Sequence, residues 1–424
     1  MPWNISDGLD ARRRFVADRL ALSGGENMTG LCRRHGISRE CGYKWWRRFK
    51  SGGWPQLLNR ASRPGSAEQL RHRWWPRLQS ARRQEADFGP KKLRWLLRQS
   101  HRRERPPVAR TLARWLERAG LVRRCKRRAR PGPAVKLAGR LVGRCVNDVW
   151  TIDLKGSFPA KDGRRINPLT VRDLASRYVL CVRHVGSGGE AQIGPVMLAL
   201  FRRHGLPRAL RMDNGAPFGA LGPRGWSQLS ASWIKLGIRL EYGRPRCPQD
   251  NAGHEQMHRV LKRRTTRPAS VHVQAQQRRF ERWRQWYNHA RPHESLDLQV
   301  PASRYRNSPR RLPKRAPRWR YPARWARLHP DAKGRCQWRK RQRLIGQAFI
   351  HEALGGKNLS ADVLAVYFGP HLLGTLHATD QAGLRPVQWR LKAGAGGATP
   401  LPNPPRSNQI SPIPTPPTVS EVCP

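Results

Sequence analysis

Apolar and polar residues alternate between residues 146 and 306 in a way that predicts both strands and helices. Short apolar runs bounded by turn residues indicate strands, and apolar positions three or four apart indicate helices. The predicted strands are 149–154, a hairpin within 169–185 that turns near Ala175 and Ser176, 209–212 and 238–242. The predicted helices are 191–204, 226–236, 251–264 and 274–289. Strands and helices that alternate along the chain predict an α/β domain.

Residues 11–50 carry two short helical patterns separated by a tight turn. Thr29 is expected to cap the first helix, and Ser38 is expected to cap the second, which runs to about Phe49. Short helices in this arrangement are typical of helix-turn-helix domains. We therefore predict a helix-turn-helix DNA-binding domain at 1–62.

The second of these helices is the expected DNA-contacting element. Its basic side chains project away from an aromatic face and are free to contact phosphates or base edges. The predicted contacts are Arg39, Lys44, Arg47 and Arg48. Gly42 lies inside the helix, where glycine costs about 1 kcal/mol relative to alanine. An ordinary amphipathic helix pair in a basic protein is the alternative interpretation.

Residues 66–121 predict a second helical, helix-turn-helix-like domain. One helix is expected at 91–97, after a Gly-Pro pair, and another begins with Pro107 in its first turn. The apolar face of the latter helix consists of Leu112, Trp115 and Leu116. Both a DNA-binding unit and a plain helical spacer fit this pattern.

The rest of the chain divides by composition. The segments are a basic linker at 122–145, the α/β domain at 146–306, a second linker rich in Arg and Pro at 307–334, a small β-rich domain at 335–392 and a tail at 393–424. Strands are expected at 363–368 and 372–377 within the small domain. The tail has almost no charge and no apolar periodicity, so we predict that it is disordered.

Charge favours a nucleic acid partner. The chain carries 84 Lys and Arg residues against 27 Asp and Glu, a formal net charge of +57. A polyanion relieves that self-repulsion, and the spread of basic residues over every segment favours nucleic acid over a membrane surface.

No stretch approaches the roughly 20 apolar residues of a membrane span, and the first residues lack a signal peptide's apolar core. The 8 cysteines form no CxxC pair, so we predict neither a zinc site nor a disulfide framework. We expect an intracellular protein.

Three carboxylates lie where a metal site for phosphodiester chemistry would be built. Asp153 lies within an apolar strand, Asp213 follows another strand, and Glu255 lies on a helix. Phosphodiester transfer uses two divalent cations held by carboxylates, and oxygen ligands suit Mg²⁺ or Mn²⁺. Taken singly, each acid has a structural explanation that is about as good as a metal-binding role. Asp153 could pair with an arginine, and Asp213 could begin a tight turn.

Four motifs, in this order, resemble the bacterial insertion-sequence transposases that have a retroviral-integrase-type catalytic core. The motifs are NDVWTID at 147–153, RMDNGAPF at 211–218, PQDNAGHEQMHRVLK at 248–262, and WYN, RPHESL and PA between 286 and 302. The helix-turn-helix at 29–49 is similar to the one that these enzymes carry. The resemblance covers residues 147–306.

The resemblance implies an α/β ribonuclease H-like integrase core, preceded by all-α helix-turn-helix domains and followed by a small β-containing domain. It implies that Asp153, Asp213 and Glu255 are the catalytic, metal-binding triad of a DDE polynucleotidyl transferase. The implied cofactors are two Mg²⁺ or Mn²⁺ ions, with no small-molecule cofactor and no membrane partner. The implied partners are double-stranded DNA, as element ends and as target, and further copies of the chain assembled on it. The implied function is DNA cleavage and strand transfer in transposition, in the bacterial cytoplasm at the nucleoid.

The choice of the third acid depends on the motif. The distance along the chain from Asp213 favours Asp250, whereas the family motif places the acid four residues after its asparagine and so selects Glu255. On a helix, Glu255, Arg259 and Lys262 share a face. We therefore expect Arg259 and Lys262 to contact DNA phosphates beside the metal ions.

Two residues depart from the family pattern, since Ala252 replaces a glycine and Gln256 replaces a common arginine. If the backbone at 252 requires a positive φ, an alanine there is strained. A DNA-binding protein, or a decayed transposase, with an inactive core is therefore the second hypothesis. A basic RNA-binding protein is the third, and the sequence contains no RNA-recognition motif to support it.

Overall fold

The computed structural model describes residues 8–22, 27–59, 64–122, 141–220, 222–243, 251–380 and 383–387. The chain forms two units, Met1–Val122 and Arg123–Pro424. The predicted tail at 393–424 and most of the predicted linker at 122–145 lie outside the described residues. In the part of the chain that is described, no helix is both long enough and apolar enough to cross a bilayer.

The N-terminal unit begins with the helices α1 (Gly8–Ala21), α2 (Met28–Arg34) and α3 (Arg39–Gly52). Ser38 caps α3 as predicted, because its hydroxyl accepts a hydrogen bond from the N–H of Cys41 at 3.2 Å. The predicted cap of α2 was wrong. Asn27, not Thr29, is the cap, and its side-chain oxygen accepts hydrogen bonds from the N–H groups of Thr29 and Gly30, each at 3.1 Å.

Gly42 explains how α3 packs against the two preceding helices. A Cβ at this position would overlap the Sγ of Cys32 on α2 and would lie 3.1 Å from the ring of Phe15 on α1. The glycine that weakens the sequence pattern therefore allows the close helix contact. Buried apolar side chains that include Phe15, Leu31 and Trp45 form the core around it.

The second half of this unit contains α4 (Pro64–Gln84), α5 (Pro90–Ser100) and α6 (Ala109–Arg118). The sequence pattern predicts α5 and α6 but not α4. Pro107 precedes the cap residue Val108 and so lies outside the first turn of α6, contrary to expectation. The predicted apolar face of α6 is buried as expected: Leu112, Trp115 and Leu116.

The larger unit is built on a five-stranded mixed sheet. Its chain begins with β1 (Val149–Leu154), β2 (Phe158–Pro159), β3 (Arg165–Ile166), β4 (Pro168–Asp173), β5 (Val179–His184), β6 (Ala209–Met212) and β7 (Arg239–Tyr242). The sheet order is β5-β4-β1-β6-β7, with β1 antiparallel to β4 and parallel to β6. β2 and β3 form a separate short hairpin that the sequence pattern does not predict. The mixed sheet has the ribonuclease H-like arrangement that the motifs imply.

Helices cover both faces of this sheet. They are α7 (Glu190–His204), α8 (Gln228–Lys235), α9 (Ala252–Thr265), α10 (Val273–His289) and the short α11 (Pro301–Arg304). Trp150 and Ile152 of β1 belong to the apolar cluster that includes α7. Because successive strand residues point to opposite faces, Thr151 and Asp153 point to the other face, where α9 lies. That alternation determines which helix contacts the first predicted acid.

A third part of this unit is a β domain packed on α8. Its strands are β8 (Ala326–Leu328), β9 (Arg335–Trp338), β10 (Arg341–Leu344), β11 (Leu354–Ser360), β12 (Val363–Phe368), β13 (His371–His377) and β14 (Arg385–Pro386). Five of them form an antiparallel sheet in the order β14-β13-β12-β11-β8. β8 lies upstream of the boundary expected at 335. Trp226 and Ile234 share an apolar cluster with Phe349 and Phe368, which joins the domain to the core.

Asn288 fixes α10 to the sheet. Its Oδ1 accepts a hydrogen bond from the N–H of Val179 at 2.8 Å, and its Nδ2 donates to the carbonyl of the same residue at 2.9 Å. The side chain is fully buried. Both polar groups of Val179 on the edge strand β5 are therefore satisfied by one amide.

We predict that Asn288→Ala lowers the free energy of unfolding by about 2–4 kcal/mol, because it leaves two buried backbone groups without partners, each worth ~1–3 kcal/mol. Urea unfolding of the full chain measures the effect. Asn307→Ala is the control, since Asn307 is exposed and water can replace its amide. The hydrogen bond from its Nδ2 to the Arg203 carbonyl measures 3.3 Å, and its Oδ1 lies 3.1 Å from His204 Nδ1. Equal losses for the two variants would contradict the prediction.

Candidate active site

Asp153 lies near the end of β1, the central strand of the mixed sheet. Its side chain is 21% exposed. Burial raises the pKa of this carboxyl to about 7, and the negative charges of Asp213 and Glu255 add to the effect, while Lys155 acts in the opposite direction. Ionisation of Asp153 is therefore opposed both by its surroundings and by two neighbouring acids.

Asp213 directly follows β6, the parallel neighbour of β1. The carboxyl ends of parallel strands lie at the same edge of a sheet, which brings Asp213 to the side of Asp153. Gly243, which follows β7, supports this corner. Its carbonyl accepts a hydrogen bond from Asn214 Nδ2 at 2.6 Å, and a Cβ on it would lie 3.4 Å from Asp213 Oδ1. The side chain of Asp213 is exposed.

Glu255 lies in the first turn of α9 and is exposed. A carboxylate is favourable there because the N-terminus of a helix carries partial positive charge. Arg259 and Lys262 follow on the same helix and are also exposed. Asp250, the alternative third acid, lies outside the described residues.

Arg172 holds the start of α9 against the sheet. Its guanidinium is buried, and Nη1 donates to the carbonyl of Gly253 at 2.6 Å. A Cβ on Gly253 would lie 2.8 Å from Arg172 Nη2, so glycine permits this approach. Ala252 is the first residue of α9, and its φ is not positive. The strain considered for an alanine at this position is absent.

Two histidines of α9 lie beneath the acids, and the sequence interpretation missed them. His254 Nδ1 is 2.7 Å from Thr151 Oγ1, and the Nε2 atoms of His254 and His258 are 2.6 and 2.8 Å from Thr170 Oγ1. Nδ1 of His258 is 3.5 Å from Oδ2 of Asp153. The i, i+4 spacing, one helical turn, is the signal that could have found the pair.

Burial keeps both imidazoles neutral. It is the largest cause that lowers the pKa of His254 well below its usual value and that of His258 to about 3. Asp153, His254 and His258 each offer a ligand atom within 4.8 Å of one another, which makes them a candidate metal-binding group. The donor atoms at this corner of the sheet are thus carboxylate oxygens and neutral imidazole nitrogens, all of which bind divalent cations.

The predicted DNA contacts on α3 are not equivalent. Arg39, Lys44 and Arg47 are exposed. Arg48 is half-buried, with its guanidinium 4.7 Å from the centre of the Trp45 ring and its Nη2 donating to the Leu58 carbonyl at 3.0 Å. Arg48 thus helps to hold the helix in place, while the other three are available to a ligand.

Two family models match parts of the chain. An integrase core domain matches residues 236–301, and a helix-turn-helix domain matches residues 12–65. The first match contains α9 with its acid and histidines, and the second contains α2 and α3. The matches therefore cover Glu255 and the predicted DNA-contacting helix, whereas Asp153 and Asp213 lie upstream of the integrase-core match.

A curated relative is the uncharacterized 31.7 kDa protein of insertion element IS407 from Burkholderia multivorans. The two chains are 29% identical over 187 residues, which is 43% of this chain and 64% of the relative. The chain therefore spans just under two thirds of the length of this relative.

Solved structures with similarity include retroviral integrases. The catalytic core domain of HTLV-2 integrase in complex with magnesium is 13% identical, with a TM-score of 0.31. The match covers 38% of this chain and 98% of the HTLV-2 integrase chain. The simian T-cell lymphotropic virus intasome in complex with PP2A regulatory subunit B56 gamma is 14% identical with a TM-score of 0.34, over 65% of this chain and 92% of its own.

The raised pKa of Asp153 predicts how stability depends on pH in the metal-free protein. Between about pH 4 and 7 the unfolded chain ionises this acid while the folded chain keeps it protonated, so stability falls as pH rises through that window and stays low above it. Asp153→Asn removes the cost. It should stabilise the EDTA-treated protein at pH 8 by roughly 1–4 kcal/mol, since one pKa unit corresponds to about 1.4 kcal/mol.

Melting curves at pH 4 and pH 8 measure this difference. The stabilisation by Asp153→Asn should shrink to about 0.5 kcal/mol at pH 4, where the folded state is protonated and the unfolded carboxyl is only about half ionised. Asp297→Asn is the matched control, because Asp297 is exposed and has a left-handed backbone that asparagine tolerates. A stabilisation that does not change with pH would contradict the prediction.

Proposed function

We propose that this chain, which belongs to the insertion-sequence transposases with an integrase core domain, binds the ends of a mobile DNA element, cleaves DNA strands there and joins them to target DNA. The observation that carries the proposal is the electrostatic coupling of three acids from separate elements. Asp213 and Glu255 both oppose the ionisation of Asp153, and divalent cations are the ligands that relieve such repulsion.

In this proposal Asp153, Asp213 and Glu255 hold two Mg²⁺ or Mn²⁺ ions. When bound, the ions supply activation of the attacking oxygen and stabilisation of the leaving oxygen. Asp153 is the acid whose ionisation both of the others oppose, so it would serve both ions and each of the others would complete one. Arg259 and Lys262, exposed one and two turns after Glu255, are assigned to the phosphates of the DNA. The protein contributes mainly the positioning of the reacting groups.

DNA recognition is assigned to α3, through Arg39, Lys44 and Arg47. The net charge of +57 supports a large non-specific contribution from phosphate contacts. Joining two element ends in one reaction requires two active sites near each other, so we propose that several copies assemble on the DNA. In a bacterial host the place of action would be the nucleoid.

The first test concerns the acids. Asp153→Asn, Asp213→Asn and Glu255→Gln keep side-chain shape and remove charge, so each should reduce nicking of supercoiled plasmid in Mg²⁺ by more than about 100-fold. Binding to duplexes from the two flanks of the gene should stay equal or become tighter, since removing a negative charge reduces repulsion of phosphate. Gel mobility and plasmid nicking provide the two measurements.

Asp250→Asn is the matched control and should nick like the parent chain. Loss of nicking in Asp250→Asn, with nicking retained in Glu255→Gln, would assign the third position to Asp250. If all four variants and the parent behave alike, the enzyme proposal fails and a DNA-binding protein with an inactive core replaces it.

The second test concerns α3. Arg39→Ala combined with Arg47→Ala should weaken duplex binding and reduce the slope of log affinity against log salt by about 2, one for each phosphate contact. Stability should change by less than about 0.5 kcal/mol, because both side chains are exposed. Fluorescence anisotropy at several salt concentrations measures the slope.

Arg48→Ala is the contrasting variant and should lower the melting temperature, because it loses the cation–π contact with the Trp45 ring and the hydrogen bond to the Leu58 carbonyl. Arg13→Ala, on exposed α1, controls for simple loss of charge. An unchanged salt slope in the double variant would move DNA contact away from α3.

A further inference from the structure

Thr170 decides where the hydrogens of the two buried histidines lie. Its hydroxyl donates to the backbone carbonyl of Asp153 at 3.0 Å, and it also lies within hydrogen-bond distance of Nε2 on His254 and on His258. A threonine hydroxyl has one hydrogen and two lone pairs. We assign this hydrogen to the carbonyl, which can only accept, so that each Nε2 atom donates to the hydroxyl oxygen.

His254 is then fully engaged by the protein. With a hydrogen on Nε2, its Nδ1 carries a lone pair, and the Thr151 hydroxyl lies 2.7 Å from that atom. Because Nδ1 carries no hydrogen in this tautomer, the Thr151 hydroxyl donates to it; the same hydroxyl also lies 3.3 Å from the Arg172 carbonyl. Both ring nitrogens of His254 are occupied, and the residue has no lone pair left for a metal ion.

His258 differs at its other nitrogen. Its Nε2 donates to Thr170, so Nδ1 of the buried ring carries the lone pair. This Nδ1 lies 3.5 Å from Oδ2 of Asp153. Two lone pairs directed at one another repel unless a positive species lies between them. Among the described residues, no donor is recorded for this Nδ1.

We propose that Nδ1 of His258 and Oδ2 of Asp153 together bind one divalent cation, so that one of the two metal positions is a mixed nitrogen–oxygen site. This inference rests on the proposed metal centre and extends it to a residue outside the acidic triad. Ligand atoms about 2.1 Å from one ion lie about 3.0–3.4 Å apart in octahedral or tetrahedral geometry, close to the observed separation. Only a small approach of the two side chains is needed.

The proposal predicts a metal preference. An imidazole ligand raises affinity along the series from Mn²⁺ to Co²⁺ and Ni²⁺ much more than it raises affinity for Mg²⁺, which prefers oxygen. An all-carboxylate site lacks that discrimination. The ratio of the Co²⁺ and Mg²⁺ affinities therefore reports on His258 without any DNA reaction.

His258→Gln is the informative variant, because the amide N–H of glutamine can still donate to Thr170 while Nδ1 is lost. Calorimetric titration of the full chain should show that Co²⁺ affinity falls at least about tenfold, whereas Mg²⁺ affinity changes less than about threefold. His272→Asn is the matched control. His272 caps α10 by accepting from the Ala275 N–H, asparagine can replace that cap, and both affinities should be unchanged.

His258→Asn provides a second variant in case His258→Gln does not fold. Its amide oxygen replaces Nδ1 by an oxygen ligand, so Mg²⁺ binding should persist while the preference for Co²⁺ is lost. Equal losses for both metals in a folded variant would make His258 a positioning residue only. No loss for either metal would mean that a proton, not a cation, bridges Asp153 and His258. Both results overturn the proposal.

Plasmid nicking separates this inference from the proposed function. If the parent chain nicks DNA in Mg²⁺ but His258→Gln keeps its Co²⁺ preference, the mixed site is wrong and the transposase function stands. If the parent chain binds Co²⁺ through His258 yet never nicks DNA, the metal site stands and the function fails.

Discussion

A carboxylate on the central strand of a sheet, with two further acids beside it, is the constraint on which this architecture depends. Asp153 is largely buried, and the charges of Asp213 and Glu255 make its ionisation still less favourable. A single such acid would be stabilised by an arginine or by protonation. Three acids from β1, the end of β6 and the start of α9 are instead the basis of the metal centre proposed above, in which a doubly charged ligand relieves their repulsion. The sheet order brings two of these acids together, because β1, which carries Asp153, is the neighbour of β6, which Asp213 follows.

The placement of α9 follows from buried polar contacts more than from apolar packing. Arg172 binds the carbonyl of Gly253 at the start of the helix, and the hydroxyls of Thr151 and Thr170 bind the imidazoles one turn apart. Each of these groups is costly to bury without its partner. The helix therefore has one rotational setting in which all are satisfied, and in that setting Glu255 is exposed and close enough to affect the ionisation of Asp153.

Periodicity predicted the main strands and most helices of the larger unit within one or two residues, because the strands are short apolar runs between turns and the helices carry apolar residues at helical spacing. The predicted triad came from motifs, since spacing alone favours Asp250 and only the motif selects Glu255. Contacts between elements distant in the chain were not predictable. The His258–Asp153 pair joins residues 105 positions apart, and the strand pairing of β8 with β11 depends on the folded β domain. The cap of α2 failed because Asn27 and Thr29 are both good capping residues two positions apart.

Gly42 lies on the packed side of α3, whereas the residues that we propose contact DNA are exposed. The side of α3 that meets Cys32 and Phe15 tolerates no Cβ, so its packing is fixed by backbone geometry. The exposed residues on the same helix take no part in that contact. Under the proposed function, Arg39, Lys44 or Arg47 can therefore be replaced while the helix keeps its position. Sequence preference and folding would then depend on different faces of one helix.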